Sequence, residues 1–176
     1  LAVRDWAVKH ESELIRVLES SSGVEHRRVA SDALGYAQQS NQQLAALVRA
    51  ARDADDDVRN NATRALGVLV RSNAALGKKI PPDTFIEMLN SGIWSDRNKA
   101  AALLMELTAS RPPALLGKIR STALDALIEM ALWRRSGHAG YARMILGRVA
   151  GLPEDRVQQL TWNGPAEEIV RAATKR

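Results

Sequence analysis

Along the 176 residues, apolar positions recur every three or four residues with polar side chains between them. That period belongs to helices with one buried stripe, whereas a half-buried strand alternates at every second residue. Residues 42–51, QQLAALVRAA, place Leu44, Leu47, Val48 and Ala51 on one face. Residues 82–92, PDTFIEMLNSG, begin after Pro81 and finish at Gly92, with proline at the start and glycine past the end as helices prefer. Phe85, Ile86 and Leu89 form the apolar side of that segment. Residues 112–133 form the longest segment. Leu116, Ile119, Ala123, Leu127 and Met130 share one side, and Leu115, Leu124, Ile128 and Ala131 widen it, as in a helix with neighbours on two sides. Gly137 is expected to close it. Residues 2–20 read as one amphipathic helix through Val3, Trp6, Ala7, Leu14, Val17 and Leu18, ended by Ser20-Ser21-Ser22-Gly23. Short helices are expected from Pro153 and from Pro165, the second with Glu167 and Glu168 at the positive pole of the helix dipole. No segment reads as a strand and no linker is long enough to divide the chain, so a single all-α domain over residues 1–176 is expected.

The chain also aligns with itself. Residues 58–67, VRNNATRALG, fall on residues 26–35, HRRVASDALG, so that Arg59 meets Arg27, Ala62 meets Ala30, Ala65 meets Ala33, Leu66 meets Leu34 and Gly67 meets Gly35. HAGYARMILG at 138–147 fits the same template through Ala142, Leu146 and Gly147, and DRNKAAALLMEL at 96–107 fits it through Ala100 and Leu104. Copies roughly 30 to 45 residues apart are the mark of helical solenoids, in which each unit buries its apolar face on the next. Each copy starts a helix and leaves room for one more, so the unit is a helical hairpin. Alanine at i and i+3 with leucine at i+4 makes one packing face. Gly35, Gly67 and Gly147 each cost about 1 kcal/mol of helix propensity, which predicts a close helix crossing at each.

The pattern Asp-x-Asp-x-x-Val-Arg-x-x-Ala-x-x-Ala-Leu-Gly, carried by Asp53, Asp55, Val58, Arg59, Ala62, Ala65, Leu66 and Gly67, resembles a HEAT repeat of the bacterial type compared with phycobilisome-lyase repeats. The resemblance covers residues 24–150. It implies a right-handed α-solenoid of stacked helical hairpins. It also implies a ladder in which a turn aspartate and the following arginine tie successive repeats, here Asp53 or Asp55 with Arg59, and Arg27 and Arg97 in neighbouring copies. The later copies depart from the pattern, because Arg97 lacks the preceding aspartates and SGHAG replaces the acidic turn at 136–140.

Composition narrows the chemistry. The chain has no cysteine, which excludes disulfides and thiolate metal sites and points to a reducing, cytoplasmic setting. No apolar run is long enough to span a bilayer, and Arg4, Asp5, Lys9 and His10 rule out a signal peptide at the start. Leu1 falls inside a helical pattern, so the chain is expected to be a fragment of a longer one. Net charge is +5, with 19 Arg against 6 Lys. The cations stand singly between carboxylates, as on solvated helix faces, and form no basic run of the kind that tracks nucleic acid.

Each candidate site has a plainer reading beside it. DADDDVRNNATR, residues 53–64, lacks the mid-loop glycine and the distal glutamate of a calcium loop. It fits a helix start instead, with Asp55 as the cap and Asp56 and Asp57 against the dipole. His26 and His138 share a repeat position with Val58, which favours packing over ligation, and His10 stands apart. No nucleophile, metal or phosphate-loop motif is present, so no cofactor is expected. Trp6, Trp94, Trp133 and Trp162 either anchor a partner or plug joints between repeats, and the second role is expected. The leading function is a non-enzymatic protein-binding scaffold, using Arg49, Arg52, Glu87, Asn90 and Arg120 on the second helices of the hairpins. Its partner would be a protein or peptide, with acidic ones suiting the arginines. The alternative is a nucleic-acid binder or a HEAT-like alkylpurine DNA glycosylase with Trp94 and Asp96 in a basic groove. A bilin-chromoprotein lyase or chaperone ranks below both. Self-association through uncapped repeat ends is also expected to be open to the chain.

Overall fold

A computed structural model describes residues 2–175, and the described residues hold helices and no strand. The chain divides into two compact units, Leu1–Thr84 and Phe85–Arg176. The first contains α1 (Ala2–Lys9), α2 (Glu11–Ser20), α3 (Val24–Leu34), α4 (Asn41–Ala50), α5 (Asp56–Ser72) and a 3-10 helix, Ala74–Lys79. α6 (Asp83–Met88) crosses the boundary. The second unit contains α7 (Trp94–Leu107), α8 (Pro113–Ala131), α9 (Ser136–Val149), α10 (Glu154–Asn163) and α11 (Ala166–Thr174).

The repeat in sequence is a repeat in structure. The helices beginning at Val24, Asp56, Trp94 and Ser136 each start two residues before the aligned positions His26, Val58, Asp96 and His138. In the first unit α2 and α3 pack as a hairpin, as do α4 and α5, while α3 lies on α5 and α2 on α4. Leu34, Leu47, Val58, Ala62 and Leu66 are fully buried there. In the second unit α9 is the centre, touching α7, α8, α10 and α11, and Leu103, Leu104, Ile119, Leu127, Met130, Ile145 and Leu146 fill the core.

α9 owes its exit to one glycine. Gly151 takes a positive φ of 73°, the Leu152 N–H donates to Gly147 O at 3.0 Å, and the Gly151 N–H donates to Arg148 O at 3.0 Å. This pair of bonds closes the free carbonyls of a helix end and turns the chain. The turn brings Glu154 back to Arg148, a buried arginine that donates to Glu154 Oε1 at 2.7 Å, Met105 O at 2.6 Å and Thr108 Oγ1 at 3.1 Å. One side chain thus ties α9 to α7 and α10.

Three expectations about elements need correction. Residues 2–20 are two helices, broken at His10 (φ −108°, ψ 19°) where the Trp6 ring stacks on the imidazole at 4.7 Å. Val3 and Trp6 are exposed rather than part of a buried stripe. Gly137 does not end α8. The helix stops at Ala131, where Leu132 and Trp133 N–H groups reach Glu129 O and Met130 O in tight 3-10-type bonds, and Gly137 lies inside α9. Of the three repeat glycines, Gly147 and Gly35 stand against neighbours. A β-carbon at Gly147 would come within 2.7 Å of Val157, and one at Gly35 within 3.2 Å of the Ala65 β-carbon, but at Gly67 nothing lies within 4 Å.

Candidate functional site

The turns before α3, α5 and α7 share one device. The side chains of Ser21, Asp53 and Ser91 accept the backbone N–H two residues on, from Gly23 at 3.2 Å, Asp55 at 2.9 Å and Ile93 at 3.1 Å. Such local bonds preset a turn before a helix. The arginine six residues later folds back on the same turn. Arg27 donates to Ser21 O and Ser22 O at 3.0 and 3.4 Å, and Arg59 donates to Asp53 O and Ala54 O at 2.8 and 2.9 Å.

In the first unit a charged ladder joins two copies. The Arg27 fork holds Asp53 at 2.8 and 3.0 Å, and the Arg28 fork holds Asp55 at 2.9 and 2.7 Å. The Asp55 carboxylate also caps α5 by accepting the Val58 N–H at 3.0 Å. These forks hold both aspartates below the ordinary carboxylate range, against the opposing cost of desolvation. Asp55, Asp56 and Asp57 each bring an oxygen within 4.8 Å of the others, but Arg28 already contacts Asp55 and Asp57. Arg28 carries no repeat signal, because its counterparts in the other copies are Asn60, Asn98 and Gly140.

The second unit builds the same place from different residues. Arg97, the counterpart of Arg27, lies over the Trp133 ring at 5.4 Å, and Trp133 is the counterpart of Asp53. A cation–π contact stands where the first unit has an ion pair. The Arg97 fork itself goes to Glu129, at 3.0 Å to each oxygen, and lowers the pKa of that carboxylate. Trp94 and Trp133 pair with centroids 6.3 Å apart and planes tilted by 31°. His138 meets Trp94 edge-on at 5.0 Å, and its Nδ1 lies 3.2 Å from Oδ1 of the buried Asn98. With Arg134 and Arg135 these groups line an open cleft of about 510 Å³.

Several aromatic and histidine placements differ from expectation. Trp94 is 52% exposed, Trp6 and Trp162 are exposed to a similar degree, and Trp133 is half-buried, so none is a fully buried plug, although the Trp162 ring does lie against Gly140 of α9. For Trp94, Trp133 and Trp162, position in a turn or at a helix end outweighs apolar character. His26 is exposed beside Ser21 Oγ at 3.2 Å, although its counterpart Val58 is fully buried. His138 does pack, against Trp94. Asp96 is 4% exposed and accepts a hydrogen bond from Ser91 Oγ at 2.9 Å, so it points away from duty as a solvent-facing carboxylate beside Trp94.

The residues chosen for a contact row divide between the units. In the first, Arg49 is exposed and paired with Glu19 on the rim of a groove between α2 and α4. Arg52 is exposed and donates from Nε to Thr84 Oγ1 at 2.8 Å. In the second, Glu87 and Asn90 are exposed, and Asn90 donates to Thr122 O at 3.2 Å. Arg120 is half-buried and donates to Val149 O and Lys175 O at 3.2 and 3.0 Å. It ties α8 to the ends of α9 and α11.

No protein-family model and no curated protein matches the chain. Solved structures do. The crystal structure of an engineered protein from the Northeast Structural Genomics Consortium aligns with a TM-score of 0.59 at 18% identity, over 91% of this chain and 76% of that one. The crystal structure of computationally designed armadillo repeat proteins for modular peptide recognition aligns with a TM-score of 0.59 at 15% identity, over 91% of this chain and 79% of that one. At these identities the likeness shows the fold, an all-α helical-repeat solenoid.

Proposed function

We propose that this chain is a non-enzymatic scaffold, of HEAT-like construction, that binds a protein or peptide through side chains displayed on its repeat helices and turns. The observation that carries this reading is the Trp94–Trp133 cleft. An exposed Trp94 and a half-buried Trp133 stand beside guanidinium groups, the residue types that dominate binding energy at protein interfaces. The nearest carboxylates are already engaged, Asp96 by Ser91 and Glu129 by Arg97, an arrangement suited to holding a ligand more than to moving a proton. That weighs against the DNA-processing alternative. The relation in fold to repeats designed for peptide recognition supports the same reading. Arg49 and Arg52 in the first unit, and Glu87, Asn90 and Arg120 in the second, are proposed as further contacts.

Selection from a random displayed peptide library, followed by calorimetry at physiological salt, tests this. Enriched peptides should bind the wild type and lose about tenfold or more in affinity on Trp94→Ala or Trp133→Ala. If no peptide is enriched while a single-stranded oligonucleotide binds with steep salt dependence, the scaffold reading fails.

A further inference from the structure

We infer that the Trp94–Trp133 cleft takes an acidic segment carrying one large apolar side chain, with the apolar group against the exposed indole surface and flanking carboxylates on Arg134 and Arg135. This rests on the scaffold reading and adds the chemistry of the ligand to it. The starting point is the equivalence of the turns. In the α5 turn the carboxylates of Asp53 and Asp55 are each gripped by an arginine fork from α3. In the α9 turn the counterparts of Asp53 and Asp55 are Trp133 and Arg135, and Asp56 and Asp57 give way to Ser136 and Gly137. The repeat has exchanged its carboxylates for an indole and a guanidinium.

The exchange leaves the guanidinium groups of this turn uncompensated. Arg97, Arg111, Arg120, Arg143, Arg148 and Arg156 all donate to carboxylates or carbonyls within the second unit. Arg134 and Arg135 are exposed and have no partner among the described residues. Side by side on the cleft wall, they match two carboxylates in trans as Arg27 and Arg28 match Asp53 and Asp55 in cis. Guanidinium forks bind carboxylates with two parallel bonds, which gives orientation as well as attraction.

The aromatic walls add the second half of the specificity. Trp94 and Trp133 lie within contact range of each other and His138 meets Trp94 edge-on, while Trp94 stays 52% exposed, so an apolar side chain packs against the outer surface of an aromatic pair that is already assembled. A nucleic acid also offers stacking groups, but its backbone needs a row of cations to follow it. Here the next cations are spent, Arg97 on Glu129 and Arg143 on Ala131 O and Thr161 O. Two free guanidinium groups beside an aromatic surface suit a short acidic peptide.

The test is titration of the whole chain, by tryptophan fluorescence and calorimetry, with a capped peptide in which two glutamates flank a phenylalanine on each side. Matched probes replace glutamate by glutamine, or phenylalanine by alanine, and a short oligothymidylate serves as the nucleic acid. The acidic peptide should bind about tenfold or more tightly than either altered peptide, and the double variant Arg134→Glu, Arg135→Glu should erase the preference for glutamate. Arg171→Glu makes half that charge change at an exposed position on α11 and should leave affinity within about twofold. Equal binding of the glutamine peptide overturns the acidic assignment and leaves the scaffold reading standing. Equal loss from Arg171→Glu overturns the site, since the effect is then only net charge. Binding of the oligothymidylate without the peptide overturns both readings. If no probe binds, this inference fails and the library selection decides the scaffold reading alone.

Discussion

Gly67 and Gly147 occupy one repeat position and sit in helices of the same kind, yet their surroundings give opposite expectations for the same substitution. Nothing lies within 4 Å of a β-carbon at Gly67, whereas one at Gly147 would press to 2.7 Å of Val157 on α10. Gly67→Ala should therefore stabilise the protein by about 0.5–1 kcal/mol, by limiting the unfolded chain without a clash. Gly147→Ala should destabilise it by about 1–2 kcal/mol, because overpacking outweighs the gain in propensity. Urea midpoints of the two variants against wild type measure both, and a shift of like sign in the pair would refute the explanation. The repeated glycine was legible in the sequence, but its reason was not. Close approach depends on the helix across the interface, and α10 has no counterpart beside Gly67 that the repeat could announce. The tryptophans teach the same lesson. Hydrophobicity argued for burial, while their location in turns between packed helices left Trp94 largely in solvent.

At the scale of elements, periodicity located α4, α5 and α8 well because each has a continuous apolar stripe against neighbours. It missed the 3-10 helix at Ala74–Lys79, whose six residues carry no period, and it missed the break at His10, because apolar positions on both sides continue in phase. The ends of helices depend on backbone bonds that no single side chain signals. α9 illustrates how much rests on such an end, since its glycine turn at Gly151 delivers Glu154 to Arg148. Arg148 is 6% exposed and bonds to two further groups on α7. Arg148→Met should cost about 2–3 kcal/mol in chemical denaturation. The cost falls below the roughly 3–5 kcal/mol of a fully buried broken pair because Glu154 is partly exposed and recovers water. Arg148→Lys should recover only part of the loss, since an ammonium cannot satisfy the fork and both α7 acceptors together. A Met variant as stable as wild type would mean that these bonds contribute nothing net.

Over the whole molecule the perturbed carboxylates share one direction. Asp53, Asp55, Glu129 and Glu154 are all shifted below their ordinary values by arginine partners, Glu154 to about 2 from 4.5. A carboxylate with a depressed folded pKa contributes stability that is complete above its unfolded pKa. That contribution is lost as pH falls through the folded one. The arginines stay charged throughout, so the dependence belongs to the carboxylates alone. Thermal stability should therefore stay nearly level from about pH 8 to 6 and decline as pH is lowered from about 5 toward 2. Glu154→Gln isolates one contribution. The variant should be less stable than wild type at neutral pH, and the two should converge as pH drops from 4.5 toward about 2. Thermal unfolding followed by circular dichroism across that interval reads the convergence directly. A constant gap between the two curves would show that the Glu154 charge is not what Arg148 and Arg111 hold in place.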